Sequence, residues 1–312
     1  MTSFFRSWST TALPPKKSIV LAILPNILLL GGLGLIVSLL FHQGIPIAIA
    51  FPSYIFEFLL GLLLIFWVHA AYRRFLEGQH YWSTLVNTVR NLAHQIWLAV
   101  AEKEAKDRQR KVEAIQWLAA FVIMTPLYLR RHPLPSLRNA PNNVQSFLSA
   151  EQYQSLSQLH NPPLEVAFWL GEYLQLQHQR ERLPLTQLAA MRCQLDTLVA
   201  VLGDSDRLVA SSFSATYIVY LRQMLWLYCL LLPFQIVATA GWMTAPIVMV
   251  VGAIVLGTEA IGRVLEHPFH PHPHALPLDT HSEMVVNEIT ILLNRTPRSP
   301  QQTSIKIAVV PE

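Results

Sequence analysis

Four long apolar runs dominate the pattern of this sequence, and they come as two pairs. The runs are 18–41, 45–68, 223–240 and 245–262. Each run has about the 20 residues that a helix needs to cross the hydrocarbon core of a bilayer. Short links nearly free of charge, HQGIP and GWMT, join the members of each pair. The pattern predicts two transmembrane hairpins, and the second helix of the first hairpin is expected to cover 45–70.

Cations flank both hairpins at the ends away from the links. They are Lys16, Lys17, Arg73, Arg74, Arg222 and Arg263. Since loops on the cytoplasmic side carry an excess of Lys and Arg, both termini and the long central region are predicted to be cytoplasmic. A fifth apolar run, 114–129, is shorter, contains Pro126 and lies between charged stretches. We interpret it as a buried helix of the central region.

The composition supports a membrane protein. Hydrophobic residues make up 52% of the chain and charged residues only 13%, whereas soluble domains carry about 25% charged residues. The central region has helical spacing and no β-pattern. The prediction is therefore an all-α membrane protein with four transmembrane helices and a large cytoplasmic helical region. Its parts are a cytoplasmic N-terminus 1–17, hairpin 18–70, helical region 71–222, hairpin 223–263, a cytoplasmic C-terminal segment 264–295 and a disordered tail 296–312.

Three motifs follow one another in register with this layout. IFWVHAAYRRFLEGQHYWSTLVN follows the second run and YLRQMLWLYCLLLPFQIV enters the third, while GTEAIGRVLEHPFHPHPHALPLD follows the fourth. The positions that carry the motifs are Tyr72, Arg74, Glu77, Trp82, Pro233, Glu259, Glu266, Pro268, Phe269, Pro277 and Asp279. Over residues 21–293 the chain resembles the bestrophin family, most of all its bacterial, cyanobacterial and thylakoid anion channels.

The resemblance implies a homopentamer whose second span surrounds a central pore. It also implies that Phe58, Leu62 and Phe66 form a narrow hydrophobic neck, where large apolar side chains would strip water from the pore. Their spacing of i, i+4 and i+8 places them on one face of a helix. In a span, such a face most often contacts lipid or another helix; the resemblance favours the pore.

Cationic groups are expected to follow the neck. His69 and Arg73 continue its face into an inner vestibule, and rings of cations favour anions. The formal net charge of +4 agrees in sign. We expect passive conduction of chloride, with bicarbonate or nitrate as further candidates; a cation-conducting homologue is the alternative. The resemblance also implies a second constriction near 183–186, for which Leu185 is our choice.

The third motif departs from the family in its histidines. Animal members bind Ca²⁺ here through carboxylates, but this chain offers imidazoles, and Ca²⁺ prefers oxygen ligands. We therefore expect no calcium site and no cofactor. His270, His272 and His274 alternate with proline, a poor spacing for a tetrahedral metal site. Partly solvated histidines in a proline-rich segment are the preferred interpretation, and a metal- or pH-regulated membrane protein is the alternative.

Two other classes of function lack sequence support. A membrane enzyme would need clustered ionisable groups in or near the spans, and a purely structural scaffold would have no reason for a pore-facing stripe. The expected partners are further copies of the chain, membrane lipid and small anions, without nucleic acid. The N-terminus predicts that the first span is retained, in a prokaryotic inner (plasma) or thylakoid membrane.

Overall fold

The computed structural model describes residues 19–49, 54–131, 144–211, 215–270 and 276–294, and the regular structure in these ranges is helical. The helices are α1 (Ile19–His42), α2 (Tyr54–Ala99), α3 (Ala105–Leu129), α4 (Ala150–Ser157), α5 (Pro162–Gln179), α6 (Leu185–Ala210), α7 (Ala215–Ala240), α8 (Thr244–Glu266) and α9 (Leu278–Leu293). Single 3-10 turns cover Val144–Ser146 and Gly241–Met243. The predicted all-α class is confirmed.

The chain forms two compact units. The first unit comprises Met1–Trp82 and Gly203–Leu276, and the second comprises Ser83–Leu202 and Pro277–Glu312. The predicted bounds after residues 70 and 222 follow the ends of the apolar runs, whereas the two units divide inside α2 and α6. The predicted bounds, with the C-terminal segment 264–295, stay a prediction.

Several stretches of the described residues are apolar enough to cross a membrane. They are Leu21–His42, Tyr54–Ala99, Lys106–Leu129 and Thr216–Glu266, and the last contains both α7 and α8. The third belongs to α3, where 67% of the apolar window is buried, against 17–28% in the others. Burial within its own unit supports the interpretation of α3 as an internal helix, which leaves α1, α2, α7 and α8 as the spans.

The second span begins later than predicted. Residues 45–49 have no helical structure, and α2 starts at Tyr54 and runs on to Ala99 instead of covering 45–70. Pro46 and Pro52 interrupt the apolar run, and proline lacks the N–H that a helix interior needs. The Ile49 N–H instead donates to the Phe234 carbonyl of α7 at 3.0 Å.

Close packing of α1, α7 and α8 builds the core of the first unit. Leu30, Cys229 and Val248, one from each helix, are at most 1% exposed. A Cβ on Gly34 would lie 3.0 Å from the Cα of Ala245. Small residues at such a contact let two membrane helices approach closely, which is their usual role in helix–helix packing within a bilayer.

Helix α3 is central to the second unit, where it packs against α5 and α9. Its residues Ile115, Leu118 and Phe121 are fully buried. Arg130, just after α3, donates through Nη1 to both carboxylate oxygens of Asp279 in α9, each at 2.9 Å. The N-terminus 1–17 and the tail 296–312 lie outside the described residues, so those two predictions stay untested.

Candidate functional site

One face of the first turns of α2 carries large exposed apolar side chains. Phe58, Leu62 and Phe66 are 70%, 38% and 62% exposed. The helical rise spaces them about 6 Å apart along the axis. Exposed apolar groups in a row indicate contact with lipid, another chain or a dewetted pore. The structure thus places the three predicted neck residues on one accessible face, and their role in a neck stays a prediction.

The opposite face of α2 is packed, which determines the rotation of the helix. Leu60 and Trp67 are 5% and 1% exposed and form a cluster with Leu221 and Leu225 of α7. The 3.6-residue period of the helix places the stripe of Phe58 on a different face from Leu60 and Trp67. Since those two residues face α7, the stripe points away from α7.

Trp67 contacts α8 in a way that the sequence analysis missed. A Cβ on Gly262 would lie 2.6 Å from Cη2 of the Trp67 ring, so the indole occupies the space that a side chain at position 262 would need. The indole Nε1 has no hydrogen-bond partner among the described residues. A bulky residue on one span indicates that a glycine faces it on another span, but the sequence does not identify which glycine does so.

The stripe ends in polar groups. His69 and Arg73 are both exposed, and their positions three and seven residues after Phe66 continue its face. The apolar stripe therefore leads into an imidazole and a guanidinium, in the order that the sequence predicts for an inner vestibule.

The first motif contributes structural contacts. The Arg74 guanidinium donates from Nη2 to the Leu208 carbonyl in the last turn of α6 at 2.6 Å. Trp82 is 3% exposed, whereas Tyr72 is 47% exposed and Glu77 lies at the surface. Arg74 satisfies one of the carbonyls that a helix leaves without an internal partner at its C-terminus. This contact supports a structural role for Arg74.

Glu259 of α8 joins two guanidinium groups. Its carboxylate is 6% exposed and accepts from Arg222 Nε at 3.2 Å and from Arg263 Nη2. The two arginine side chains are about half exposed, at 43% and 51%. One carboxylate thus links the start of α7 to the end of α8 through two guanidiniums. From the sequence, both arginines are interpreted only as flanking cations that indicate topology.

The remaining motif residues lie at helix ends or within packed helices. Pro233 lies inside α7, Glu266 is 2% exposed, Phe269 is 3% exposed, Pro268 contacts Gly78, Pro277 precedes α9 and Asp279 pairs with Arg130. Among the histidines of the third motif, His270 lies 6.2 Å from His267 between ring centroids, and His272 and His274 are outside the described residues. Within the described ranges, no group of His, Cys, Asp and Glu has a geometry suited to a metal ion.

Leu185, our choice for the second constriction, is the first residue of α6 and is 66% exposed. The turn before it closes α5 with the Arg182 N–H on the Gln177 carbonyl and the Glu181 N–H on the His178 carbonyl, both at 2.9 Å. These two bonds define a Schellman motif. Its left-handed position, usually glycine, is Glu181 with a φ of 58°.

Replacing Glu181 by glycine should therefore stabilise the protein. Glycine adopts positive φ without a steric cost, so we expect a gain of about 0.5–1 kcal/mol in the free energy of unfolding. Thermal unfolding of the purified chain in detergent would measure it. Glu181→Ala is the control, because alanine removes the carboxylate but keeps the strained backbone, and an equal gain there would refute the argument.

Arg182 has a buried ion pair next to this turn. Its guanidinium, 6% exposed, donates from Nη1 to Asp107 and from Nη2 to Glu104 at 2.8 Å. The second carboxylate oxygen of Asp107 accepts the N–H groups of Lys103 and Glu104, at 3.1 and 2.9 Å. Burial opposes ionisation of Asp107, but these two hydrogen bonds and the Arg182 charge outweigh it and hold the pKa of Asp107 below its usual 3.8.

Acid should therefore weaken the second unit. A carboxylate with a lowered pKa in the folded state contributes stability above its ordinary pKa of 3.8, and loses it as the pH falls through the lower folded value. We expect the unfolding midpoint to drop as the pH falls below about 4. Asp107→Asn should be less stable than the natural chain at neutral pH, and the difference should narrow over the same range. A constant difference would contradict this assignment.

Comparison with known proteins gives consistent matches. A family model described as Bacterial/Fungal Bestrophin protein matches residues 4–291. Proteins of Nostoc and Synechocystis, each named voltage-dependent anion channel-forming protein, are 38% identical over 298 and 275 residues, which is 95% and 88% of both chains. The crystal structure of a bacterial bestrophin homologue from Klebsiella pneumoniae matches with a TM-score of 0.76 and 22% identity, over 88% of this chain and 100% of that one. At that identity the likeness shows the fold.

Proposed function

The chain belongs to the bacterial and fungal bestrophin family, and on this premise we propose that it is a passive anion channel. The observation that carries the proposal is that relatives 38% identical over most of both chains are named voltage-dependent anion channel-forming proteins. Chloride is the proposed main ion, with bicarbonate or nitrate as further candidates. The function requires no catalysis and no cofactor.

The proposed channel is a homopentamer with α2 of each copy around the axis. The exposed stripe of Phe58, Leu62 and Phe66 supports this arrangement, because the single chain leaves it without a partner helix among the described residues. Five copies would form three apolar rings about 6 Å apart. Rings of this kind control conduction by excluding water.

Anion selectivity is proposed to arise beyond the neck. His69 and Arg73 lie exposed on the continuation of the stripe, where five copies of Arg73 would make a ring of guanidiniums. Such a ring attracts anions and repels cations. Leu185, exposed at the start of α6, is the proposed second constriction.

The chain is an integral membrane protein, with α1, α7, α8 and the first part of α2 as its apolar helices. We propose the plasma membrane or the thylakoid membrane of a prokaryote as its location. The cations that flank both hairpins support a cytoplasmic position for the second unit.

A reversal potential tests the function. Purified protein is inserted in a planar bilayer under a KCl gradient, and the voltage of zero current is measured. We expect a value near the chloride equilibrium potential. A value near the potassium potential would establish a cation channel and refute the selectivity argument. Absence of current from the natural chain, and also from a variant in which Phe58, Leu62 and Phe66 are all replaced by alanine, would refute the channel itself.

Arg73→Glu should lower anion selectivity. The change replaces five guanidiniums with five carboxylates at the inner approach to the neck. A change of about 1.4 kcal/mol in the free energy of chloride relative to that of potassium at this ring already alters their permeability ratio about tenfold. We expect the ratio of chloride to potassium permeability to fall by at least about tenfold. Arg108→Glu, at an exposed position of α3, changes the net charge equally and should leave the ratio unchanged. An equal effect of both variants would indicate a general charge effect.

A further inference from the structure

Two turns of the second unit are joined by one residue. Arg182 lies in the turn between α5 and α6, and its side chain binds Asp107 and Glu104 at the start of α3. Its backbone takes part as well, since the Arg182 carbonyl accepts the N–H of Ala101 at 3.0 Å. Ala101 lies in the link between α2 and α3. Arg182 therefore connects the α5–α6 turn with the α2–α3 link through both its main chain and its side chain.

Asp107, which binds Arg182 at the start of α3, is itself held in place. Asp107 is 1% exposed at the side chain, and its second oxygen accepts two backbone N–H groups of the α2–α3 link. Nearby, Lys111 donates to the Trp97 carbonyl at 3.0 Å and to Glu102 at 2.9 Å, and joins the end of α2 to the same link. A guanidinium held in two directions by such groups has little freedom to move.

Only two residues separate Arg182 from the start of α6. Leu183 is 2% exposed, and its carbonyl accepts the Nδ1 proton of His178 at 2.9 Å. Pro184 follows, with its fixed φ, and its carbonyl accepts the Leu188 N–H in the first turn of α6. Leu185 thus begins a helix whose approach is constrained at every preceding residue from Glu181 onward.

We propose that Arg182 is a positioning residue for the second constriction: its bonds to Asp107, Glu104 and Ala101 hold the start of α6, and so set the distance of Leu185 from the pore axis. The inference rests on the proposed channel function, and it concerns which anions pass. A constriction held at a fixed radius discriminates by ion size. Loosening the bonds of Arg182 widens the range of radii that the constriction adopts and admits larger anions.

The test replaces Arg182 by lysine. Lysine keeps the charge that Asp107 needs, but its single ammonium cannot reproduce the forked contact with both carboxylates. In proteoliposomes, the permeability of thiocyanate and gluconate relative to chloride is measured for the natural chain and for the variant. We expect the ratio of gluconate to chloride permeability to rise about threefold in Arg182→Lys. It should rise less in Glu104→Gln, which removes the charge of only one partner of Arg182, a carboxylate that is 66% exposed.

A double-mutant comparison separates positioning from general loss of structure. If Arg182 acts through Leu185, Arg182→Lys should change the ratio in the natural background and have no further effect in a Leu185→Ala background. Arg192→Lys is the matched control, because Arg192 is an exposed residue of α6 whose partner is Gln175. Unchanged ratios in both Arg182→Lys and Glu104→Gln, or an equal effect in the Leu185→Ala background, would overturn the inference.

A spectroscopic readout does not depend on conduction. A nitroxide is attached at Leu185→Cys, and in a control at Gln154→Cys, after Cys193, the exposed cysteine, is replaced by serine. Arg182→Lys and Glu104→Gln should each raise the mobility of the label at 185 and leave that at 154 unchanged. If the natural chain passes no anions, the proposed function fails, and this measurement alone decides whether Arg182 positions the start of α6. An unchanged spectrum at 185 in both variants would overturn that role.

Discussion

Anion flux is expected to rise at least about tenfold when Phe58, Leu62 and Phe66 are all replaced by alanine. The three side chains are exposed on one face of α2, and in five copies they would line the narrowest and driest part of the pore. Alanine widens each ring and lets water enter, which lowers the free-energy barrier for a hydrated ion. A reduction of only about 1.4 kcal/mol in the barrier suffices for a tenfold change in rate.

Chloride efflux from proteoliposomes, at equal amounts of reconstituted protein, measures this effect. The control replaces Leu28, Leu35 and Leu39 of α1, which are 60%, 50% and 40% exposed, by alanine. That variant also replaces three exposed large apolar side chains of a span by alanine and should conduct as the natural chain does. If the α2 triple variant conducts no faster than the α1 variant, the stripe does not form the neck.

Gly262→Ala is expected to disturb α2, the helix that carries the proposed neck. The added methyl group would lie 2.6 Å from Cη2 of Trp67, whose side chain is 1% exposed and packed between α7 and α8. Overpacking of this kind costs about 1–3 kcal/mol. Because Trp67 follows Phe66 directly, a shift of the indole would also move the face that carries Phe58, Leu62 and Phe66. We expect a lower unfolding temperature and altered conduction.

Gly257→Ala is a close control in the same helix. A Cβ there would meet only the Ile23 methyl at 3.6 Å, an ordinary contact, so this change should leave stability and conduction nearly unaltered. Adding Trp67→Phe to Gly262→Ala should restore part of the lost stability, since the smaller ring leaves room for the methyl group. Equal unfolding temperatures for Gly257→Ala and Gly262→Ala would show that the contact is unimportant.

The spans could be predicted from the sequence because the bilayer demands long apolar helices. Helix α1 begins one residue after the predicted start, at Ile19, and α8 begins at Thr244, one residue before its predicted apolar run. The shared face of Phe58, Leu62 and Phe66 could be predicted as well, since they recur at helical spacing and are all exposed on α2; their role in a neck stays a prediction. The start of α2 could not, because Pro46 and Pro52 allow several places for a helix to begin.

Contacts between distant parts of the chain were beyond the sequence. Arg182 and Asp107 are separated by 75 positions, and neither has a local motif that indicates burial. Glu259 was assigned by motif, yet its pairing with Arg222 depends on how α7 packs against α8. Such pairs depend on tertiary geometry, which residue spacing within one element does not contain.

The unbroken course of α2 restricts how the chain can change in length. Its 46 residues extend about 69 Å, more than twice the roughly 30 Å of a hydrocarbon core. Inserting one residue into this helix would turn every later side chain by about 100° and shift it by about 1.5 Å, whereas a loop absorbs such a change. Single-residue insertions and deletions should therefore be selected against between Phe66 and Ala99, and length variation should accumulate elsewhere in the chain.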